Sequence, residues 1–287
     1  LKVAQLLLNR GVNINVRDKN SRTPLHEALI GLVNDSTDYF VDAVRFLLDH
    51  GADVDAVDND HSTPLHVISK YGNVKAARLL LEHGARVDAL DKDHRTPLHI
   101  ASRRSKVEAA RLLLEHGADV LSLDGNQTTP LHLASGSGSA EAVRLLIEHG
   151  ADVHAQDHNH ATPLHFTAQS SGTGAALVLL EHGAVIDARD IKDSTPLHLA
   201  SQYHNHIVAP LLLDCGADVD ALDKDHSTPL HIAAQYSSFV ATCLLEHGAN
   251  VHIQNNDGHT PLQIESAKGH MGIGRWLSEH LRSEQKL

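Results

Sequence analysis

The tetrapeptide Thr-Pro-Leu-His begins at Thr23, Thr63, Thr96, Thr129, Thr162, Thr195 and Thr228 of this 287-residue chain. A variant, Thr-Pro-Leu-Gln, begins at Thr260. The successive steps are 40, 33, 33, 33, 33, 33 and 32 residues. Chance does not produce such a run, and an internal repeat overrides the prior of about one domain per 150 residues. A second marker is the glycine closing Leu-Leu-Glu-His-Gly or its variants: Gly11, Gly51, Gly84, Gly117, Gly150, Gly183, Gly216 and Gly248. Each lies 12 residues before the next Thr. The length changes therefore fall in the other part of the unit. Seven residues are added between Thr23 and Gly51, and one is lost between Thr228 and Gly248.

Residues 96–117 show what one unit encodes. Thr96 is a good N-cap, and Pro97 fits the first helical position, where its missing N–H costs nothing. A short helix follows with Leu98 and Ala101 on one face, ending at residues 102–105. A second helix is expected over residues 107–116, with Val107, Ala110, Leu113 and Leu114 at helical spacing. Gly117 stands where a helix closes in the left-handed conformation. Residues 118–128 are polar around Val120 and read as a hairpin-like connector. Each unit has one apolar face and must stack on neighbours to bury it. The expectation is one array over residues 1–287: a partial repeat over residues 1–18, seven full repeats and a terminal repeat headed by Thr260.

These residues closely resemble the ankyrin repeat family. The resemblance rests on Thr-Pro-Leu-His, on Leu-Leu-Glu-His-Gly-Ala, and on Asp-Val-Asp-Ala at residues 53–56 and 218–221. It implies an all-α solenoid: stacked helix-turn-helix repeats with β-hairpin fingers and a concave surface of fingers and first helices. Leu1 aligns within a second helix, so the array is read as entered in mid-repeat. Leu281 takes the place of the closing glycine and residues 282–286 are polar, which suggests a capping helix packed over Trp276.

Composition excludes several classes. The chain is 41% hydrophobic with both charge signs, so it is not disordered by composition. Its net charge is −12, against the Lys/Arg excess that nucleic-acid binding needs. The longest apolar run is six residues, whereas a spanning helix needs about 20. Cys215 and Cys243 are too few for a disulfide scaffold, which makes a reducing, intracellular location the default, cytoplasmic or nuclear. No phosphate loop, calcium loop or nucleophile–base pair is present, so no enzyme, cofactor or metal is assigned.

The 25 histidines invite a metal site, but the repeat accounts for most of them. Seven are in Thr-Pro-Leu-His, where they are expected to bond backbone at the turn and between repeats. Six precede the closing glycine, where a helix C-terminus favours donors. His61, His94, His160 and His226 stand two residues before Thr, where the family usually has glycine. Positive φ is uncommon for other residues, so strain is expected there. A metal- or pH-responsive surface through these four is a third, weaker reading.

The connectors between each closing glycine and the next Thr hold 20 acidic and 9 basic residues, nearly the whole charge excess. Asp18, Asp58, Asp91, Asp124, Asp157, Asp190 and Asp223 lie five residues before Thr, where Asp can cap a turn. Together they make a negative ridge that favours a basic partner. The resemblance places contacts four, three and one before Thr, and seven and eight after it. The last column holds Tyr71, Arg104, Ser137, Ser170, Tyr203, Tyr236 and Lys268; the one before it holds Lys70, Arg103, Gly136, Gln169, Gln202, Gln235 and Ala267. Tyr and Arg are enriched at interface hot spots. Arg95, Arg103 and Arg104 form a basic spot suited to an acidic side chain or phosphate.

Three departures bear on rigidity: Pro210 in a second helix, Gly172 and Gly174 at the start of another, and the insertion around residues 35–40. The leading reading is a monomeric, non-catalytic scaffold for a protein or peptide. Its contacts are Tyr71, Arg95, Arg103, Arg104, Tyr203 and Tyr236, flanked by Lys70, Gln202 and Gln235. The alternative is a targeting module of a larger protein, such as a ubiquitin-ligase adaptor, a channel or an NTPase.

Overall fold

A computed structural model describes residues 5–6, 9–34, 38–169, 173–236 and 239–276. The expectations for Leu1, Ser170, Gly172, Leu281 and residues 282–286 lie outside these. The main helices are α1 (Pro24–Asn34), α2 (Asp38–Asp49), α3 (Pro64–Tyr71), α4 (Val74–Glu82), α5 (Pro97–Arg103), α6 (Val107–Glu115), α7 (Pro130–Ser137), α8 (Ala140–Glu148), α9 (Pro163–Thr167), α10 (Thr173–Glu181), α11 (Pro196–Gln202), α12 (Val208–Asp214), α13 (Pro229–Ala234), α14 (Phe239–Glu246) and α15 (Pro261–Ala267). The chain forms two compact units, residues 1–134 with 144–152 and residues 135–143 with 153–287. In the first unit α1, α3 and α5 stack in order, and α2, α4 and α6 stack beside them. In the second unit α9, α11, α13 and α15 form one layer, and α10, α12 and α14 the other. Each unit is thus an all-α solenoid layer pair.

The repeat residues explain the packing. The leucine of every Thr-Pro-Leu-His (Leu25, Leu65, Leu98, Leu131, Leu164, Leu197 and Leu230) is fully buried. The second helices bury pairs such as Ala109/Ala110 and Leu112/Leu113. Small residues on one turn and leucines on the next let neighbouring helices approach closely while excluding water. Gly117 closes α6 at φ 84°, a left-handed angle that Gly adopts without the Cβ clash.

The fingers are tight turns and contain no strand among the described residues. In the Thr63 repeat the Asp58 N–H donates to the Ser62 carbonyl at 3.1 Å, and the His61 N–H to the Asp58 carbonyl at 3.0 Å. The Asp58 carboxylate accepts the Asp60 and Ser62 N–H groups, both at 2.9 Å. The other six Asp of this column repeat the pattern. Asn255 does so in the last repeat. One backbone bond then joins neighbouring fingers, as from Lys92 N–H to the Asp60 carbonyl at 3.0 Å. A turn saturated by its own carboxylate leaves few N–H groups for a ladder, so paired strands do not develop.

The fourth residue of each turn has positive φ. His61, His94, His160 and His226 lie at 54–59°, as do Asp193 and Gln127, with Ser21 at 60°. These seven side chains carry the strain that Gly258, at φ 75°, avoids in the last repeat.

The local departures are absorbed. Helix α12 starts at Val208 because Asn205 Oδ1 accepts the Ile207 and Val208 N–H groups at 3.1 and 2.9 Å. Pro210 consequently stands in the first turn, where its lost donor is harmless. Gly174 does not shorten α10, and a Cβ there would press on the Ala140 Cβ at 2.9 Å. The inserted residues lengthen α1 to 11 and α2 to 12 residues, with the Phe40 ring lying directly over Gly31. Residues 35–37, between the two helices, lie outside the described set.

Candidate partner-binding surface

Two sets of histidines hold the surface in place, with opposite tautomers. In the Thr-Pro-Leu-His set, Nδ1 accepts the Thr backbone N–H, at 3.2 Å for His99 and Thr96. The far nitrogen, Nε2, then carries the proton and donates to a carbonyl of the next finger. Those bonds run from His26 to Ser62, His66 to Arg95, His99 to Thr128, His165 to Ser194, His198 to Ser227 and His231 to His259, at 2.8–3.1 Å. All six rings are buried, and burial pushes each below the ordinary imidazole value. The bond accepted at Nδ1 requires the neutral ring.

In the second set Nδ1 is the donor. His50, His83, His116, His149, His182 and His247 each bond the carbonyl four residues back, at 2.7–2.8 Å. Protonation costs these bonds nothing. His247 is pushed upward, first by its bond to the Cys243 carbonyl and then by Asp214. Cys215 is exposed, whereas Cys243 is buried and its thiol is pushed upward by that burial. Among the described residues no three His, Cys, Asp or Glu side chains converge as metal ligands would.

The contact columns project from the ends of the first helices. In the first unit Lys70, Tyr71, Arg95, Arg103 and Arg104 line one cleft of about 240 Å³ with Arg22, Val67 and Ile100. Arg95 is committed internally: its Nη2 lies 3.0 Å from Asp91 and 2.5 Å from Asp93. Lys70 sits 5.5 Å from the centre of the Tyr71 ring. In the second unit Gln202 and Tyr203 line a cleft of about 390 Å³ with Phe166, Gln169 and Leu199. Tyr236 stacks edge-on against His204 at 4.2 Å. Tyr203 and Tyr236 are 49% and 43% exposed, while Gln235 is half-buried after α13.

One column is not among the expected contacts. Four residues after Thr63, Thr96, Thr129, Thr162, Thr195 and Thr228 stand Val67, Ile100 and Leu133 in the first unit, and Phe166, Leu199 and Ile232 in the second; all are half-buried. Val67 and Ile100 line the first unit's cleft, and Phe166 and Leu199 that of the second. Each lies one helical turn before the eighth-residue column, which is the signal that could have located it.

The ankyrin-repeat family model, described as "Ankyrin repeats (3 copies)", matches residues 1–91, 34–124, 87–157, 121–190, 153–223 and 197–286. The chain belongs to the ankyrin repeat family. A solved ankyrin-repeat relative, the human ASB11 ankyrin repeat domain, is similar at 32% identity and a TM-score of 0.66. That match covers 72% of this chain and 96% of the human domain. Two fowlpox virus (strain NVSL) proteins are also similar. Putative ankyrin repeat protein FPV222 is 34% identical over 80 residues, 23% of this chain and 10% of the viral protein. Putative ankyrin repeat protein FPV234 is 38% identical over 65 residues, 22% of this chain and 14% of the viral protein. The matched regions are thus a small part of those viral proteins. Ankyrin repeats are protein–protein interaction modules and typically non-catalytic. No helix among the described residues is long and apolar enough to cross a membrane.

Proposed function

We propose that this ankyrin-repeat chain is a non-catalytic scaffold that holds a protein or peptide against its fingers and the ends of its first helices. The observation that carries the reading is the half-buried apolar column beside half-buried Tyr71 and exposed Tyr203 and Tyr236. Aromatic side chains rimming an apolar strip are the composition of an interface core. The finger carboxylates favour basic surfaces on the partner. Asp18 is held below the usual carboxylate range chiefly by the Arg22 N–H. A partner that lays a basic segment along the fingers meets these charges before it reaches the tyrosines.

Replacing Tyr203 and Tyr236 together with Ala tests the assignment. Both side chains are exposed, so the melting temperature stays within a few degrees of wild type. Affinity for a partner captured by the full chain is expected to fall about tenfold or more, the effect of losing aromatic interface anchors. Unchanged affinity in the double variant rejects the tyrosine surface as the contact.

A further inference from the structure

We propose that the first unit's cleft receives an acidic peptide segment of the partner, in polyproline II conformation, with carboxylates three residues apart. The proposal rests on the scaffold reading and names the chemistry of one of its contacts.

The cleft inverts the charge of the chain around it. Five cations line it (Arg22, Lys70, Arg95, Arg103 and Arg104) against Asp58, Asp60 and Asp91, in a protein of net charge −12. The three carboxylates are already engaged. Asp58 and Asp91 accept turn N–H groups. Asp91 also holds Arg95, and Asp60 pairs with Lys92 at 2.5 Å. Arg22 keeps only long contacts, 3.7 Å to Glu27 and 3.9 Å to Asp58. Lys70, Arg103 and Arg104 are exposed and make no ion pair among the described residues. The negative charge of their neighbours is spent elsewhere.

Spacing decides between a peptide and a small anion. Lys70 and the Arg103/Arg104 pair stand at matching positions of adjacent repeats. Stacked helices lie about 8–10 Å apart. A polyproline II segment advances about 3.1 Å per residue with three residues per turn, so every third side chain returns to the same face at the next repeat. A Glu-Xaa-Xaa-Glu segment therefore places one carboxylate at Lys70 and the next at Arg103 and Arg104. Guanidinium groups bind carboxylates bidentately, which fixes the second position. The intervening side chains fall towards Val67, Ile100 and the Tyr71 ring, which line the same cleft. A single phosphate would reach one repeat only and leave that apolar floor uncovered.

The test is fluorescence anisotropy of the full chain with a labelled peptide carrying Glu at every third position and Leu or Ala between. A control peptide of the same composition carries its Glu clustered at one end, and inorganic phosphate serves as competitor. The spaced peptide is expected to bind saturably and more tightly than the control. Arg103→Ala/Arg104→Ala should weaken it about tenfold, which is about 1.4 kcal/mol. Lys70→Ala should weaken it less. These side chains are exposed, and equal melting temperatures show that the variants fold. Absence of binding, unchanged affinity in the variants, equal binding of the clustered peptide, or displacement by phosphate at matched concentration overturns the proposal. If it fails while Tyr203→Ala/Tyr236→Ala still loses the captured partner, the scaffold reading stands and only the acidic ligand is withdrawn.

Discussion

Acidification from pH 7 to pH 5 will destabilise this chain steeply, well before its carboxylates titrate. His26, His66 and His99 in the first unit, and His165, His198 and His231 in the second, are buried as neutral rings and pushed below the ordinary imidazole value. The unfolded chain titrates near pH 6.5. Below that pH the unfolded state binds protons that the folded state refuses, so stability falls as pH falls. It is fully present above about 6.5 and is lost on the way down to the depressed folded value. Each such histidine contributes a limiting slope of about 1.4 kcal/mol per pH unit, so three in one unit give up to about 4. Total stabilities are about 5–15 kcal/mol, so this slope is large. His247 runs the other way, its raised value adding stability that is lost as pH rises, but it is a single, mostly exposed group. Thermal melts at pH 7.5, 6.5, 5.5 and 5.0 check the expectation. A melting temperature flat from pH 6.5 to 5.0 contradicts it.

The second large effect is expected at one of these histidines. His99→Ala removes the acceptor of the Thr96 N–H and the donor to the Thr128 carbonyl, at 3.2 and 2.9 Å. Thr96 and Thr128 are 1% and 4% exposed, so water does not replace the lost partner easily. Two buried backbone groups left unsatisfied, plus the cavity of a fully buried ring, cost about 3–5 kcal/mol. The chain contains its own control. In the last repeat Gln263 replaces the histidine, and its Oε1 accepts the Thr260 N–H at 2.8 Å. His99→Gln therefore keeps the cap, fills most of the space and cannot take a proton. Its cost at pH 7.5 is expected to be less than half that of His99→Ala, with a pH slope shallower by one proton. Urea unfolding at pH 7.5 and 5.5 separates the variants. Equal cost for both, or an unchanged slope in His99→Gln, contradicts the role given to the ring.

Much of the fold is legible in the sequence. The arithmetic of Thr-Pro-Leu-His and the closing glycines locates every helix pair, because capping and helix closure are local chemistry written in one or two residues. The same locality makes the Asp turns and the strained His61, His94, His160 and His226 readable. Contacts between segments far apart in sequence are not legible in this way. Nor is a side chain's choice of partner: Arg95 reads as a free cation beside Arg103 and Arg104, yet Asp91 and Asp93, four and two residues before it, hold it. Val67 and Ile100 are not singled out by the sequence, since apolar spacing records only that a face is apolar. Whether a neighbour covers it is a tertiary fact, and here they are half-buried in a cleft. The split of the histidines into two tautomers is likewise hidden, because the deciding carbonyl belongs to the next repeat in one set and to the same helix in the other.

The central claim is that a partner docks on the fingers and the ends of the first helices. Amide hydrogen exchange of the full chain, with and without a captured partner, measures this most directly. Protection is predicted in residues 67–71, 100–104, 199–203 and 232–236 and in the finger turns before them, with the second helices unchanged. Protection confined to the second helices, α4, α6, α10, α12 and α14, would contradict the account.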